Sequence, residues 1–475
     1  MAARRAHLAT VSIAAFRKTG KIMKSHKGQS ALFKKTLDFN RRVETALGLS
    51  RGDPVLQKDY VSPVEQGRFS VIGKLENTVS MLQTARINIE KIKSWLLEMK
   101  DFLEKEQNRT SWAKVPASVI NNFLADRLSC IKVMTESVSF QGKLLLNGNS
   151  GVFGATTGNN LRFIRGSARV VTSAETGYPI TIYQEPKSAL LLGAGELNEE
   201  TLRYEKLIAL ASGSREVRYK IKEDETPEKL IPNLQRCLQD HGFDISVYRT
   251  QDNHLLFKHN QLGSRSSFQG MSYNTRIVSE KPGEYISAEP GADINGTIGS
   301  EAAHGDGGFL IGDKGNKKTE GLVVFFDGTI DYPGQIVGYV KVKQNGVLVP
   351  LDAEESRMEI LSIPSVKPTL LAAGVSNNSG FSDLSVIRGN TDIECRDAIR
   401  MTVWSITYLD YLLDELKWKE KIYVDRAVEL LRSTIKPQSA GEEMLYLSKD
   451  KAKDMVAQLK SMLTPVSVMK VTSWK

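Results

Sequence analysis

Cysteine is scarce in this 475-residue chain: Cys130, Cys237 and Cys395 are an odd number, far apart, with no CxxC pair. That excludes a disulfide framework and a thiolate zinc site, and buried thiols are expected instead. No stretch approaches the ~18 consecutive apolar residues of a membrane span, so no segment is expected to cross a bilayer. The histidines (His7, His26, His241, His254, His259 and His304) never form HExxH. No P-loop lysine follows Gly305-Asp306-Gly307-Gly308, so neither a zinc peptidase nor a phosphate cradle is expected. His254 and His259, five apart, fall on opposite faces of a strand. Asp293, Asp306 and Asp313 miss EF-hand spacing and are read as turn residues. One GxSxG string, Gly48 to Gly52, follows a helical pattern, and Pro54 blocks the helix that a nucleophile elbow needs. No catalytic, cofactor-binding or metal-binding residue is expected, and the chain is not read as an enzyme.

Acids are missing from the beginning. Arg4, Arg5, Arg17, Lys18, Lys21, Lys24, Lys27, Lys34 and Lys35 all precede the first one, Asp38, in a chain of net charge +9. A basic arm can hold nucleic acid or an anionic membrane, but no nucleic-acid-binding module accompanies it. The arm is read as a terminus that orders on assembly; neither nucleic acid nor membrane is an expected partner. At this length one core does not suffice, and two to four domains are expected.

What is present is helical periodicity at both ends. Ile72, Leu75, Val79, Leu82, Ala85, Ile89, Ile92, Leu96, Met99 and Leu103 recur in steps of three and four, the seam of a helix that packs along other helices. A second seam runs Ile399, Val403, Ile406, Leu409, Leu413, Leu416, Tyr423, Ala427 and Leu430, with no Gly or Pro from 391 to 435. Met444, Leu447, Met455, Leu459, Met462 and Val466 form a third. Helices of this length with one-sided seams are expected to bury them against neighbouring copies, since an isolated helix covers nothing.

Between the ends the pattern is β. Pro116 opens a second helix, which stops before the turn Phe140-Gln141-Gly142-Lys143. Arg215–Lys222 alternates as a half-buried strand does. Glu228–Asp240 reads as one short helix that Pro232 opens or kinks. Phe243–Tyr248 and Leu255–His259 flank a turn at Asp252-Asn253. Ile336–Lys343 and Val347–Leu351 flank Asn345-Gly346, a strong hairpin signal.

Several of these stretches resemble bacterial flagellin, in its N-terminal, C-terminal and insert regions. His26–Leu32, the corner Val138–Leu145, Ser362–Ser365, Asp397–Ile399, and Glu442–Met444 with Leu447–Lys449 and Leu463–Val468 carry the resemblance. So does the glycine-punctuated run Asp293–Gly299, Ala303–Gly307, Leu310–Gly312 and Gly321-Leu322, which is also similar to flagellar cap proteins. Leu47–Pro54 and Glu98, a charge reversal, depart from the family's pattern and mark a divergent member.

The resemblance implies an α+β fold: long terminal helices in an antiparallel helical bundle or coiled coil, with an inserted β-rich outer domain. Residues 1–60 and 440–475 would be terminal helices of a filament core. Residues 61–165 with the return region 350–439 would form the next domain, and 166–349 the β insert. It implies a secreted, extracellular structural subunit that polymerises into the flagellar filament for motility. Its partners would be copies of itself and cap, junction and export-chaperone proteins. The alternative is a filament cap or hook–filament junction protein.

Overall fold

The computed structural model describes residues 63–109 and 115–435. The basic arm, the Gly48–Gly52 string and the seam from Met444 to Val466 lie outside the described residues. Contacts divide the chain into one unit of residues 71–427 and another of the stretches on either side of it. The fold is α+β.

Helix α1 spans Pro63–Gln107, about 67 Å at 1.5 Å per residue. Proline stands at its first position, where no N–H is needed. Gly73 is tolerated inside α1 because its surroundings are open: a Cβ there would meet nothing within 4 Å. Helix α2, Ala117–Ser137, starts after Pro116. The connection between α1 and α2 is held by the buried carboxylate of Glu106, which accepts from the amide of Val115 at 3.3 Å and pairs with Arg109. Strands β1 (Ser139–Phe140) and β2 (Lys143–Leu144) follow as a small hairpin. Its turn residues Gln141 and Gly142 sit at φ 49° and 80°, the left-handed region that glycine enters freely.

An eight-stranded sheet then forms. Its order is β3 (Val152–Thr157), β17 (Gln335–Gln344), β5 (Tyr178–Gln184), β13 (Asn295–Ile298), β14 (Glu301–Asp306), β15 (Phe309–Gly312), β16 (Val323–Phe326) and β4 (Leu161–Arg165). Its outermost strands are consecutive in the chain, and Thr156 Oγ1 of one donates to the Leu161 carbonyl of the other at 2.7 Å. The sheet therefore curls round a core that includes Phe163, Ile180, Ile298, Val324 and Val340. Strands β3 and β4, which the sequence grouped with the helices, belong to this sheet.

Asn345-Gly346 does not make a hairpin. Neither residue has the positive φ that a two-residue primed turn demands. The Asn345 amide instead donates to the Gly151 carbonyl at 2.9 Å. Strand β17 pairs with β3 and β5, and β18 (Val347–Pro350) pairs with β19 (Met358–Leu361).

A second apolar core lies within the β-rich part. It packs β6 (Ser188–Glu196), β9 (Ile245–Arg249) and β10 (His254–Leu262) with β7 (Leu207–Ser212), β8 (Arg215–Lys220), β11 (Gln269–Ser272), β12 (Ile286–Ser287) and two helices. These are α3 (Glu199–Tyr204) and α4 (Pro227–Asp240). Pro227 opens α4 and Pro232 lies inside it; Leu230, Leu234 and Leu238 line its buried face. The turn before β10 holds Asn253 at φ 59°, as its Asp-Asn sequence anticipates.

Short strands leave many loop amides without ladder partners, and single carboxylates collect them. Glu205, almost fully buried, accepts from the amides of Lys206, Leu207, Tyr273, Asn274 and Thr275 and from the Thr275 hydroxyl. Glu301 gathers the amides of Lys317, Lys318 and Thr319. Burial raises its carboxyl, but the Thr319 hydroxyl and these amides more than offset that, leaving it below the ordinary range.

Helix α5, Asp392–Ile435, returns beside α1. Beyond residues 71–427, Arg68 in α1 donates to the Ser433 carbonyl in α5 at 3.4 Å, so the entry to α1 and the exit of α5 lie together.

Glycine sites give a two-sided stability test. Gly73→Ala is expected to stabilise the protein by about 0.5–1 kcal/mol, since it removes backbone entropy where space is free. Gly305→Ala is expected to destabilise it, because its Cβ would stand 1.8 Å from the Ile294 carbonyl oxygen. Urea midpoints of both variants check the signs; equal midpoints would refute this account of the packing.

Candidate assembly surfaces

The seam on α1 is closed by the chain itself. Ile72, Leu75, Val79, Leu82, Ala85, Ile89, Ile92, Leu96, Met99 and Leu103 are all buried, most of them completely. The expectation that this seam waits for a neighbouring copy is therefore corrected: α2 and α5 cover it. Position 83 on α1 faces 420 on α5, through Gln83 Nε2 to Glu420 Oε1 at 2.7 Å, and Lys93 pairs with Asp410. A rise of ten on one helix matches a fall of ten on the other, so α1 and α5 run antiparallel. On α2, Phe123 packs on Phe102 with ring centroids 4.3 Å apart, and Arg127 pairs with Glu98 at 2.9 Å. That pair gives Glu98 an internal partner.

The seam on α5 follows the expected positions only in its second half. Leu409, Leu413, Leu416, Tyr423 and Ala427 are buried, and Leu430 is buried in the other unit. Ile399 and Ile406 are half-buried, and Val403 is 39% exposed. The buried line there is Ala398, Met401, Thr402 and Ser405. Thr402 and Ser405 survive burial because their hydroxyls donate to the carbonyls of Ala398 and Met401, one turn back, at 2.7 and 2.8 Å. An apolar-only search loses phase at such residues.

Polar groups enter the helix interface at fixed points. The buried Glu420 accepts from Gln83 and lies 3.4 Å from Arg86 Nε, an ion pair without hydrogen-bond alignment. Glu359 on β19 accepts from Lys419 and from the Tyr423 hydroxyl at 3.2 Å, and burial holds the Tyr423 phenol above its ordinary range. Arg426 donates to the Leu351 carbonyl. The β18–β19 pair is thereby fastened to α5.

The first turns of α5 carry the lobe built on the second core. Arg400 donates to Asp244 at 2.8 Å and to the Ser376 carbonyl at 3.1 Å, and Arg396 pairs with Asp240. Between them the buried Asp397 accepts from the amides of Asn378 and Ser379 and from the Ser379 hydroxyl. Burial nevertheless raises its carboxyl above the ordinary range.

The acids and histidines singled out in the sequence do structural work. Asp293 accepts from Ser264 and from the Gly307 amide at 2.9 Å. His304 Nδ1 lies 2.6 Å from Asp313, and Asp306 pairs with Arg265 at 3.4 Å. Gln184, Ser264, Asp293, Asn295 and His304 border an open recess. Cys395 is buried, but Cys130 and Cys237 are only half-buried, because they stand on the flanks of amphipathic helices and not on their inner faces. Among the described residues no group of His, Cys, Asp and Glu is placed to hold a metal ion, and no described helix is long and apolar enough to cross a membrane.

Comparison with sequence profiles of protein families and with curated proteins finds no match. Among solved structures, the chain is similar to the D1-D2-D3 domains of the flagellar cap protein FliD from Escherichia coli. That match has 8% identity, 80% of this chain and 88% of that one, and a TM-score of 0.29. It is similar to FliC from Burkholderia pseudomallei at 12% identity, over 73% of this chain and 99% of that one, with a TM-score of 0.26. Hook-associated protein-3 from Legionella pneumophila matches at 9% identity, over 78% and 94% of the two chains, with a TM-score of 0.17.

Glu76 offers a pH test of the α1 interface. It is half-buried, and burial raises its carboxyl from 4.5 to about 7. The folded state thus holds a proton that the unfolded state releases, so stability is full below pH 4.5 and falls as pH rises to 7. Glu76→Gln escapes that loss: it is expected to match wild type at pH 4 and exceed it by about 3 kcal/mol at pH 8. Urea unfolding at the two pH values decides; an equal gain at both would discard the buried-acid explanation.

Proposed function

We propose that this chain is a structural subunit of the bacterial flagellum, secreted and extracellular, which polymerises with copies of itself into the filament. In this reading α1, α2 and α5 are the described part of an antiparallel bundle whose terminal segments, 1–60 and 440–475, complete a filament core. The observation that carries it is the meeting of Arg68 and Ser433. Because α1 begins where α5 ends, the sequence that precedes α1 and the sequence that follows α5 continue from neighbouring points. An apolar seam such as the one from Met444 to Val466 can be covered by its counterparts in the next copy, and non-closing head-to-tail contacts of that kind give helical filaments.

The residues of the flagellin resemblance fall on elements that suit the reading. The corner Val138–Leu145 is the turn between α2 and the body. The glycine-punctuated run Asp293–Leu322 makes the short strands β13 to β15. Cap, junction and export-chaperone proteins are the partners this role entails, and nucleic acid and membrane are not among them.

Seeded elongation tests the proposal. Dilute protein added to sonicated filament fragments is expected to lengthen them under the electron microscope, and Leu459→Asp or Met462→Asp to abolish growth while near-UV circular dichroism of the body is unchanged. Small closed rings would replace the filament reading with the cap reading. Growth of both variants at the wild-type rate would remove the C-terminal seam from the assembly contact.

A further inference from the structure

Three exposed rings on α5 take no part in the helix interface. Trp404, Tyr411 and Trp418 recur every seven residues and are 50%, 66% and 58% exposed. Seven residues are two turns, about 10.5 Å, so the three rings stand in one row on the face opposite Leu409, Leu416 and Tyr423. The same face binds the second-core lobe one turn earlier, through Arg396 and Arg400. Beyond Arg400 the face is left with aromatic rings. Side chains of this size, in a row on a rigid helix, are the composition of an interface core.

We propose that this aromatic row docks on α2 of a second copy of the chain, an inference that rests on the polymer reading above. One strip on the outward side of α2 carries short side chains at the matching spacing: Ser118, Asn122, Ala125 and Ser129 are all exposed, with Val119 and Val133 exposed along its edge. Their low profile, with the same two-turn repeat, leaves room for large rings to pack as knobs. Because α1 runs antiparallel to both α2 and α5, those two helices run the same way in each molecule. Copies aligned along a filament therefore present them parallel. In that register Trp404 meets Ser118, Tyr411 meets Ala125, and Trp418 lies along the stem of Lys132, where its ring takes a cation. Lys421 then approaches Glu136, an opposite-charge pair at the end of the row.

The size of the contact fits this occupant. With half to two-thirds of each ring exposed, three such rings can cover at most roughly 450 Å² more, short of the about 800 Å² per partner of a stable isolated pair. A single contact is weak, and the row acts when each subunit makes it twice, once with α5 and once with α2.

The test uses the full chain with p-benzoylphenylalanine in place of Tyr411, assembled on seeds from a mixture of nitrogen-15-labelled and unlabelled protein, irradiated, and mapped by mass spectrometry. Adducts joining a labelled α5 peptide to an unlabelled peptide within 117–137 are expected. Adducts to α5, to the sheets, or only within one copy, in material that light scattering shows to be assembled, overturn the α2 assignment and leave the polymer reading standing. Protein that never assembles overturns both. In parallel, Trp404→Ser with Trp418→Ser is expected to raise the critical concentration about tenfold with an unchanged melting temperature. A wild-type critical concentration would refute the docking row even if the cross-link formed.

Discussion

The closure of the α1 seam by α2 and α5 is the contact on which the described structure depends. Leu75, Leu82, Ile89, Ile92, Leu96, Met99 and Leu103 are completely buried, and side chains of this kind contribute about 1.5–3 kcal/mol each when taken from water. A helix of α1's length has no such source of stability alone, because nucleation is unfavourable and its apolar face is bare. The interface also fixes register. Glu420 must find Gln83 and Arg86, Lys93 must find Asp410, and Phe102 must find Phe123. A slip of one turn along any helix would strand a buried carboxylate or pull the stacked rings away from each other. Apolar burial holds the helices together, and the buried acid chooses among the alignments that burial alone would permit.

With the helices held in this way, the β-rich part has no long seam of its own. It uses two separate cores, and its short strands leave loop amides to be gathered by Glu205, Glu301, Asp293 and Asp397. Glu205 and Asp293 each join two distant stretches of backbone, and Glu301 and Asp397 each tie one loop to the element that carries the acid, so one carboxylate fixes a loop where a longer ladder would otherwise be needed. The second-core lobe meets α5 through Arg396, Arg400 and Asp397, a charged and hydrogen-bonded junction unlike the apolar helix interface. Polar junctions of that kind generally bind domains less rigidly than a shared core does.

The sequence made the helices legible because their signal is long and regular. Residues 72–103 keep one phase over many turns, and the position of every seam residue on the inner face follows from that. What it did not reveal was who covers the seam, since periodicity is the same whether the partner is internal or another copy. Phase was lost on α5 where Thr402 and Ser405 replace apolar residues, because their ability to donate to the preceding turn is invisible to a hydrophobicity pattern. Asn345-Gly346 misled for a related reason: a turn dipeptide states a local preference, and here the wide sheet draws β17 toward β3 and β5 with more hydrogen bonds than a hairpin with β18 would make. The anchoring role of Glu205 has no sequence signature, as its donors at 206–207 and 273–275 are distant in the chain. The aromatic row on α5 was readable as a seven-residue repeat, but it is meaningful only once the opposite face of the helix is known to be occupied.

That occupation changes how assembly must be organised. If the seams of α1 and α5 were open, copies would join by completing each other's cores, and the monomer would be unstable. Because they are closed, α1 and α5 need no second copy to cover their apolar faces, and in the proposed polymer contacts between copies would use what remains outside: polar surface, small residues and the aromatic row. Contacts of that sort are individually weak and so reversible, which lets a misplaced subunit leave. Irreversible hold then falls to segments with uncovered apolar residues. By sequence pattern the apolar residues from Met444 to Val466 are the candidates for that role. Under the proposed assembly, a strong contact and a weak one would thus be assigned to different regions of one chain.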